Sequence, residues 1–382
     1  MPDGGRIAVV GGGPAGATCA RALASAGARV DLFEAGPAAE KPCGGGVPSG
    51  ALRELPSLAD QSIPRRVVKE VWIYSPSNRR VVVPLATGIH IFSRRILDAA
   101  LRARAVSAGA TLQSLRVTGL RRTAGGRWEV STPAGPAGPF DHIVGADGVR
   151  GVVRRALAGR FPDDDLTLAL YAYVPGVARG EMVLKFFGDF DGYLWVFPRT
   201  DHVSVGICGR HREVGAARLE DELGRFVERH YPEGRFAASA LSGYFIPSCH
   251  PPAGQASGEG WALAGDAAGF VDPLTREGIS WAMRSGAAVA RRAAMQGRLR
   301  TPPLPDELEL AHRYKRGFFR EDFLETMTRL ASVSPAIRGV LADLFCGWQG
   351  YRGLKRRLLF NAVPAGVQVG IHALTHRPRQ QV

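Results

Sequence analysis

Three glycines near the start of the chain have the spacing of a phosphate-binding turn. Gly11, Gly13 and Gly16 form a Gly-x-Gly-x-x-Gly motif between an apolar stretch and a run of small residues. The first permits a tight turn, the second lets backbone N–H groups approach a pyrophosphate, and the third allows close packing of helix on strand. Glu34 follows Gly13 by 21 residues, where a carboxylate can accept adenosine ribose hydroxyls. The motif predicts a dinucleotide site, and Glu34 disfavours a 2′-phosphate in it.

Two further acids follow short apolar segments that read as buried strands. Asp266 comes after Trp261 to Ala264, and Asp147-Gly148 closes the segment from Phe140 to Ala146. Alone, Asp266 is best explained as a helix cap and Asp147-Gly148 as a β-turn. A carboxylate at a strand end also binds sugar-like hydroxyls, and the start of the next helix offers N–H groups to an anion. Together with the glycine motif, these acids favour a bound ligand.

Two other motifs have side chains suited to chemistry on an apolar molecule. Lys41-Pro42-Cys43-Gly44-Gly45-Gly46 cannot form regular structure, so it is either a ligand-facing loop or a mobile insert. Tyr193-x-Trp195-x-Phe197-Pro198-Arg199 places three aromatic rings on one face of a predicted strand. From residue types alone, the preferred interpretation is that Cys43 is an inert loop thiol and that the three rings form one side of a core strand.

The elements predicted around the glycine motif are those of a βαβ unit. Arg6 to Val10 is short, apolar and β-branched at its end, which predicts a buried parallel strand. Pro14 to Ala26 predicts a helix that Gly27 ends, and Arg29 to Glu34 a second strand. The connections are short, as in dinucleotide-binding domains.

The remainder of the chain alternates strand-rich and helical stretches. The pattern predicts a hairpin of Val67–Tyr74 with Arg79–Leu85, then a helix over Arg94–Ala108 and short strands between 110 and 146. Alternating strands dominate from Leu166 to Cys208, and helices are predicted over Ala216–His230, over Gly278–Met295 and from Asp306 onward.

These elements predict an α/β fold made of a discontinuous nucleotide domain and an inserted sheet. We expect residues 1–65, 94–160 and 255–300 to form a Rossmann-like FAD-binding domain. Residues 66–93 and 161–254 are expected to form an antiparallel-sheet substrate domain, and 301–382 a helical C-terminal region.

With these motifs in place, the chain resembles FAD-dependent enzymes of the p-hydroxybenzoate-hydroxylase type, and specifically the geranylgeranyl reductase family. The resemblance covers roughly Arg6 to Ala294. The glycine-rich loop and the aromatic strand favour the reductases over the hydroxylases, and flavin-dependent halogenases have a WxWxIP motif that this strand does not match well. Arg199 stands where the family pattern has Lys.

The resemblance implies a role for each matching position. The resemblance implies that the cofactor is bound by the glycine motif, the loop, the Arg94 helix start, the Asp147-Gly148 turn and the segment around Asp266. The cofactor-binding residues implied in this way are Gly11, Gly13, Pro14, Ala15, Gly16, Glu34, Gly44, Arg94, Val117, Asp147, Gly148, Asp266, Pro273, Gly278 and Ile279. Asp266 would hold the ribityl chain. Tyr193, Trp195, Phe197 and Arg199 would bind substrate, and Cys43, Tyr193 and Trp195 would serve catalysis.

The implied reaction is reduction of C=C bonds in an isoprenoid chain by reduced FAD. No second glycine motif follows, so NAD(P)H must bind transiently or a ferredoxin-like donor must supply the electrons. The alternatives are a hydroxylase or halogenase-like monooxygenase, and a non-catalytic electron-transfer flavoprotein. We expect a monomer.

The chain is strongly basic, with 49 Lys and Arg against 35 Asp and Glu and a net charge of +14. The arginines are dispersed and no aromatic residues alternate with them, so nucleic-acid binding is not expected. The five cysteines and nine histidines have no metal-ligand spacing. From Leu344 onward no acidic residue occurs, which together with an uncharged stretch after Arg357 suggests peripheral membrane contact; packing of a C-terminal helix on the body explains the stretch equally. We expect a cytoplasmic protein with reduced thiols, peripheral on the inner membrane if that contact forms.

Overall fold

The computed structural model describes residues 5–37, 39–175, 180–231, 241–249 and 255–362. Its strands are β1 (Arg6–Val10), β2 (Arg29–Phe33), β3 (Gly46–Pro48), β4 (Arg65–Tyr74), β5 (Arg80–Phe92), β6 (Thr111–Gln113), β7 (Gly119–Arg122), β8 (Trp128–Thr132), β9 (Gly135–Phe140), β10 (His142–Gly145), β11 (Leu166–Pro175), β12 (Met182–Phe186), β13 (Gly192–Pro198), β14 (His202–Arg210), β15 (Ser242–Pro247), β16 (Ser257–Gly258) and β17 (Trp261–Leu263). Its α-helices are α1 (Pro14–Ser25), α2 (Ser49–Glu54), α3 (Pro56–Ala59), α4 (Arg94–Ser107), α5 (Val152–Leu157), α6 (Ala216–His230), α7 (Ile279–Gln296), α8 (Asp306–Phe318), α9 (Glu321–Val333) and α10 (Pro335–Cys346). Residues 354–362 are also helical.

The first sheet is the Rossmann sheet that the glycine motif predicts. Its strand order is β16-β17-β10-β1-β2-β6, and all neighbours are parallel except β16 and β17. Helices α1 and α7 pack together so closely that a Cβ on Gly286 would lie 2.2 Å from the Ala15 carbonyl oxygen. Small residues in both helices therefore allow α7 to reach the phosphate-binding edge of the sheet.

The second sheet has eight strands in the order β15-β11-β14-β13-β12-β4-β5-β3. It is antiparallel apart from the parallel pair β12 and β4, an exception that the sequence did not predict. One face is covered by α6, through Leu219, Leu223, Phe226 and Val227. The opposite face carries Tyr193, Trp195 and Cys208 and packs against α8, α9 and α10.

Several predicted boundaries are wrong in detail. Strand β5 continues to Phe92 instead of ending at Leu85, because its second half pairs with β3 and with the start of β4. The stretch from Lys41 to Gly46, predicted to lack regular structure, ends in the first residue of β3. The predicted strand from Phe140 to Ala146 is divided between β9 and β10, and β9 completes a separate small sheet with β7 and β8.

Strand β3 lies within the range predicted for the nucleotide domain yet belongs to the second sheet. The loop before it therefore connects the two sheets. The division of the chain into three regions stays a prediction.

Candidate active site

One cavity of about 1220 Å³ runs from the glycine motif to the C-terminal helices. It begins at the carboxyl edge of the Rossmann sheet, passes beside the Cys43 loop, and continues under the second sheet between β13 and helices α8 to α10. Ligand pockets usually measure about 300–1,000 Å³, so the cavity has room for a large cofactor and a second molecule.

At the Rossmann end, charged groups surround the glycine motif. Glu34 accepts a hydrogen bond from the Gly12 N–H through Oε2 at 2.8 Å, which fixes the carboxylate at the end of β2. A Cβ on Gly13 would lie 3.7 Å from Lys41 Nζ and 4.0 Å from Arg94 Nη2. Two cations therefore converge on the turn whose N–H groups face a pyrophosphate in dinucleotide-binding folds.

Arg94 is held in place by Asp98, one turn further along α4. Its Nε and Nη2 donate to the two carboxylate oxygens at 3.0 and 3.1 Å, a bidentate pair. Burial lowers the pKa of Arg94, but the charges of Asp98 and Cys43 outweigh burial and raise the pKa above its usual value. Arg94 is therefore a fixed positive charge beside both the glycine turn and the Cys43 sulfur.

Asp147 holds the turn that follows β10. Its Oδ2 accepts from the Val153 N–H at 2.8 Å, and a Cβ on Gly151 would collide with the carboxylate at 2.1 Å. Burial raises the pKa of Asp147 to about 6, against several backbone N–H bonds that lower it. Its Oδ1 has no partner. Asp147 and Gly148 both line the cavity, and their binding of the cofactor stays a prediction.

Asp266 lies in a short 3₁₀ helix after β17, facing the cavity. Burial raises its pKa, and the charges of Arg94 and Lys41 oppose that effect. Gly278 and Ile279 at the start of α7 also line the cavity, and a Cβ on Gly278 would lie 3.5 Å from Asp266 Oδ1. The carboxylate and the helix N-terminus therefore face the same part of the cavity.

The glycines of the loop fit against two strands of the second sheet. A Cβ on Gly44 would lie 2.5 Å from the Phe197 ring, and one on Gly45 would lie 2.2 Å from the Phe92 carbonyl oxygen. Gly45 also has a φ of +82°. Larger residues at these positions would displace the loop toward the cavity, so the glycines allow the loop to pack directly on the two strands.

Arg199 supports this loop from behind. Its fully buried guanidinium forms an ion pair with Glu40 and donates to the Cys43 carbonyl oxygen at 2.6 Å. Arg199 is not among the residues that line the cavity. The contacts that the structure shows for Arg199 are with the loop, and its role in substrate binding stays a prediction. Gly16 and Pro273 also lie outside the cavity lining. A Cβ on Gly16 would lie 1.8 Å from the Gly11 carbonyl oxygen, so only glycine allows α1 to begin this close to the turn.

Tyr193, Trp195 and Phe197 line the cavity below the loop. The Tyr193 hydroxyl donates to the Thr275 carbonyl, and burial raises its pKa well above the usual value. The Trp195 indole N–H donates to Ser204 Oγ at 3.2 Å, and Ser204 in turn donates to the Cys43 carbonyl at 3.1 Å. The rings face the cavity, while the polar atoms of Tyr193 and Trp195 are bonded to its walls.

Several lining residues are absent from the sequence-based prediction. They come from β11, β14 and β15, from the loop before α7, and from helices α8 to α10, and include Tyr171, Cys208, Tyr244, Arg276, Phe318, Met327, Leu341 and Leu344. The C-terminal residues belong to apolar helical faces that look like ordinary core from sequence. Only the sheet they pack on reveals that they border a cavity.

The residues present fit FAD. Each polar part of the cofactor has a suitable partner along the cavity. Glu34 suits the adenosine ribose, the two cations at the glycine turn suit the pyrophosphate, and Asp266 beside the N-terminus of α7 suits the ribityl chain. No group of three or more His, Cys, Asp or Glu suited to a metal ion occurs in the part of the chain that the structure describes.

Comparison with known proteins supports this interpretation first at the level of fold. Residues 9–49 match the family of NAD(P)-binding Rossmann-like domains. A geranylgeranyl bacteriochlorophyll reductase-like protein from Thermoplasma acidophilum aligns with a TM-score of 0.74 and 24% identity, over 93% of this chain and 98% of that one. The flavin-dependent brominase Bmp2 aligns with a TM-score of 0.68 and 19% identity, over 92% and 97%. Fold and site together define a flavoprotein fold of the p-hydroxybenzoate-hydroxylase type.

Sequence relatives then identify the family. Geranylgeranyl diphosphate reductase of Arabidopsis thaliana is 31% identical over 80% of this chain and 68% of its own length. Digeranylgeranylglycerophospholipid reductase of Methanoculleus marisnigri is 30% identical over 75% and 76%, and geranylgeranyl diphosphate reductase of Synechocystis is 31% identical over 73% of each chain. The chain belongs to the geranylgeranyl reductase family.

Proposed function

We propose that the protein reduces isolated C=C bonds in an isoprenoid chain. The observation that carries this proposal is the continuity of the cavity from the dinucleotide-binding edge into an apolar chamber walled by the second sheet and helices α8 to α10. A flexible hydrocarbon chain buries well in such a chamber, because its binding depends on apolar area rather than on hydrogen bonds.

The residues at the Rossmann end would hold the cofactor. Lys41, Arg94 and the Gly13 turn suit the pyrophosphate, Glu34 the adenosine ribose, and Asp266 the ribityl hydroxyls. When bound in its reduced form, FAD supplies hydride to an alkene carbon. The N-terminus of α7 would face the flavin and favour negative charge there.

The aromatic rings of Tyr193, Trp195 and Phe197 would line the path of the alkene. An unactivated alkene is a poor hydride acceptor, because hydride addition alone would leave negative charge on carbon. Where protonation of one carbon precedes hydride transfer, positive charge develops on its neighbour, and the π-faces would stabilise that charge. The Tyr193 hydroxyl donates to Thr275, which leaves its ring and not its proton for the substrate.

Cys43 would position the substrate or take part in proton delivery beside the cofactor. Its sulfur accepts the Gly45 N–H at 3.2 Å and lies against the Arg94 charge. A Cys43→Ser variant should therefore retain FAD and lose turnover. The ratio of flavin absorbance to protein absorbance and the rate of product formation check both points; unchanged turnover removes Cys43 from the mechanism.

The electron donor would be external. NAD(P)H bound transiently and a ferredoxin-like protein are both compatible with the single glycine motif, and measuring flavin reduction with each donor under argon separates them.

A peripheral contact with an anionic membrane would bring lipid substrates to the cavity. Among the described residues no helix is long and apolar enough to cross a bilayer. However, Leu359 and Phe360 are 69% and 81% exposed, next to the exposed Lys355 and Arg356. Lys355 and Leu359 also line the far end of the cavity. Most of the uncharged C-terminal stretch lies outside the described residues.

The test of the function is anaerobic. The purified protein is reduced with dithionite, geranylgeranyl lipids are added, and flavin reoxidation is followed together with product mass. Reoxidation with a gain of two mass units per bond supports prenyl reduction. A flavin that stays reduced until O₂ is admitted, with oxygen then appearing in a product, contradicts it and favours the monooxygenase.

A further inference from the structure

Next to Tyr193, on the adjacent strand, a buried thiol borders the apolar chamber. Cys208 on β14 lies directly opposite Tyr193 on β13, so both side chains point to the chamber face of the sheet. Cys208 lines the cavity, and only 1% of the residue is exposed. Cys208 belongs to none of the motifs described above.

A buried cation with unused hydrogen-bond donors lies against this thiol. Arg276, in the loop between β17 and α7, is itself a lining residue, with its side chain 2% exposed. Its Nη2 donates to Asp191 Oδ1 at 2.7 Å, while Nε and Nη1 have no hydrogen-bond partner. Asp191 also binds Lys315 at 2.9 Å. The guanidinium is thus anchored through Nη2, while its other two nitrogens have no hydrogen-bond acceptor. Burying such donors costs free energy unless a ligand binds there or a negative charge develops beside them.

The charge that Arg276 is suited to stabilise is a thiolate. Burial raises the pKa of Cys208, and the nearby charge of Arg276 opposes that effect. Burial thus favours the thiol form of Cys208, and Arg276 is a fixed cation that can compensate the negative charge left on sulfur when the proton leaves.

We infer that Cys208 donates the proton that completes alkene reduction, with Arg276 as the positioning residue that stabilises the resulting thiolate; the inference rests on the proposed function. The π bond of the alkene breaks. One carbon gains hydride from the reduced cofactor, and its neighbour gains the proton released as the Cys208 S–H bond breaks. The two electrons come from the hydride, the sulfur retains its own pair as thiolate, and water returns a proton to it after the product leaves. Arg276 does not supply that proton, because a guanidinium stays charged in proteins.

Other acids in the chamber are less suited to this step. The Tyr193 hydroxyl is bonded to the Thr275 carbonyl, and the Tyr314 hydroxyl donates to the Tyr351 carbonyl at 3.2 Å. The Cys43 thiol lies at the cofactor end of the cavity, in the loop before β3, and not on the sheet face beside Tyr193. Cys208 lies under the aromatic strand, where the alkene is expected.

The test uses the holoenzyme with Cys208→Ser and Cys208→Ala, and Cys346→Ser as control. Cys346 is also 1% exposed and belongs to the same apolar cluster, but it does not line the cavity. General acid catalysis contributes roughly 100-fold or more to a rate. Both Cys208 variants should therefore slow lipid-dependent flavin reoxidation by about 100-fold, while Cys346→Ser stays within about threefold of the wild type.

A second readout is independent of turnover. The oxidised enzyme is treated with N-ethylmaleimide, with and without geranylgeraniol, and modification is located by peptide mass. Geranylgeraniol should protect Cys208 from modification by N-ethylmaleimide. It should also perturb the flavin spectrum equally in wild type and Cys208→Ser, which would show that the variant still binds the lipid. Wild-type rates in both Cys208 variants overturn this inference alone. Absence of lipid-dependent reoxidation in the wild type overturns the proposed function and this inference together.

Discussion

Asp147 shows how one buried carboxylate makes the stability of the fold depend on pH. Its folded-state pKa of about 6 lies above the usual 3.8, so the folded protein holds the proton over a pH range in which the unfolded chain has lost it. The contribution of Asp147 to stability is therefore fully present below pH 4 and is lost as pH rises through 6.

Replacing this carboxylate by a neutral amide should remove that pH dependence. One pKa unit corresponds to about 1.4 kcal/mol, so the stability difference between FAD-free wild type and Asp147→Asn should shift by roughly 3 kcal/mol in favour of the variant between pH 4 and 7. Urea unfolding at several pH values measures this shift. Parallel stability curves for the two proteins would contradict the burial argument.

At the scale of elements, the Cys43 loop depends on contacts that no local pattern reveals. Gly44→Ala should push a methyl group into the Phe197 ring, whose nearest atom would lie 2.5 Å away. Overpacking of this kind costs about 1–3 kcal/mol, and the displaced loop should also reduce FAD retention. Thermal unfolding and the ratio of bound FAD to protein measure both effects.

Gly36→Ala is the matched control for this variant. Gly36 precedes the same loop, and a Cβ there meets no atom within 4 Å. It should retain wild-type stability and FAD content; an equal loss in both variants would show that steric contact with Phe197 is not the cause.

The same element marks the limit of what sequence reasoning can provide. The βαβ unit and the Glu34 position follow from local periodicity and glycine spacing, because each depends on neighbours within a few residues. The resemblance implies substrate binding by Arg199, which stays a prediction, but no local pattern predicts the pairing of its side chain with Glu40, 159 positions away in the chain. Cys208 carries no motif, and the pairing of β14 with β13 brings it to the cavity. Arg276 reaches the same cavity from the loop before α7.

At the scale of the whole molecule, the cavity reaches a basic and apolar surface near Phe360. We expect the protein to sediment with vesicles that contain phosphatidylglycerol, and much less with phosphatidylcholine alone, because Lys355 and Arg356 attract anionic headgroups. Phe360→Ser should weaken this binding severalfold in a vesicle co-sedimentation assay. Met295→Ser, at a side chain 78% exposed on α7, should have little effect; equal loss in both variants would locate the contact elsewhere.

The Cys43 carbonyl oxygen accepts two hydrogen bonds, one from Arg199 and one from Ser204, and this has a consequence for redesign. Ser204 also receives the Trp195 indole N–H, so the ring that borders the substrate and the loop that borders the cofactor share one hydrogen-bonded support. Changing the sheet wall to admit a longer or bulkier chain would disturb cofactor retention at the same time. Selectivity for chain length is therefore most safely altered from the opposite wall, at Met327, Leu341 or Leu344, where helices and not the flavin loop set the shape.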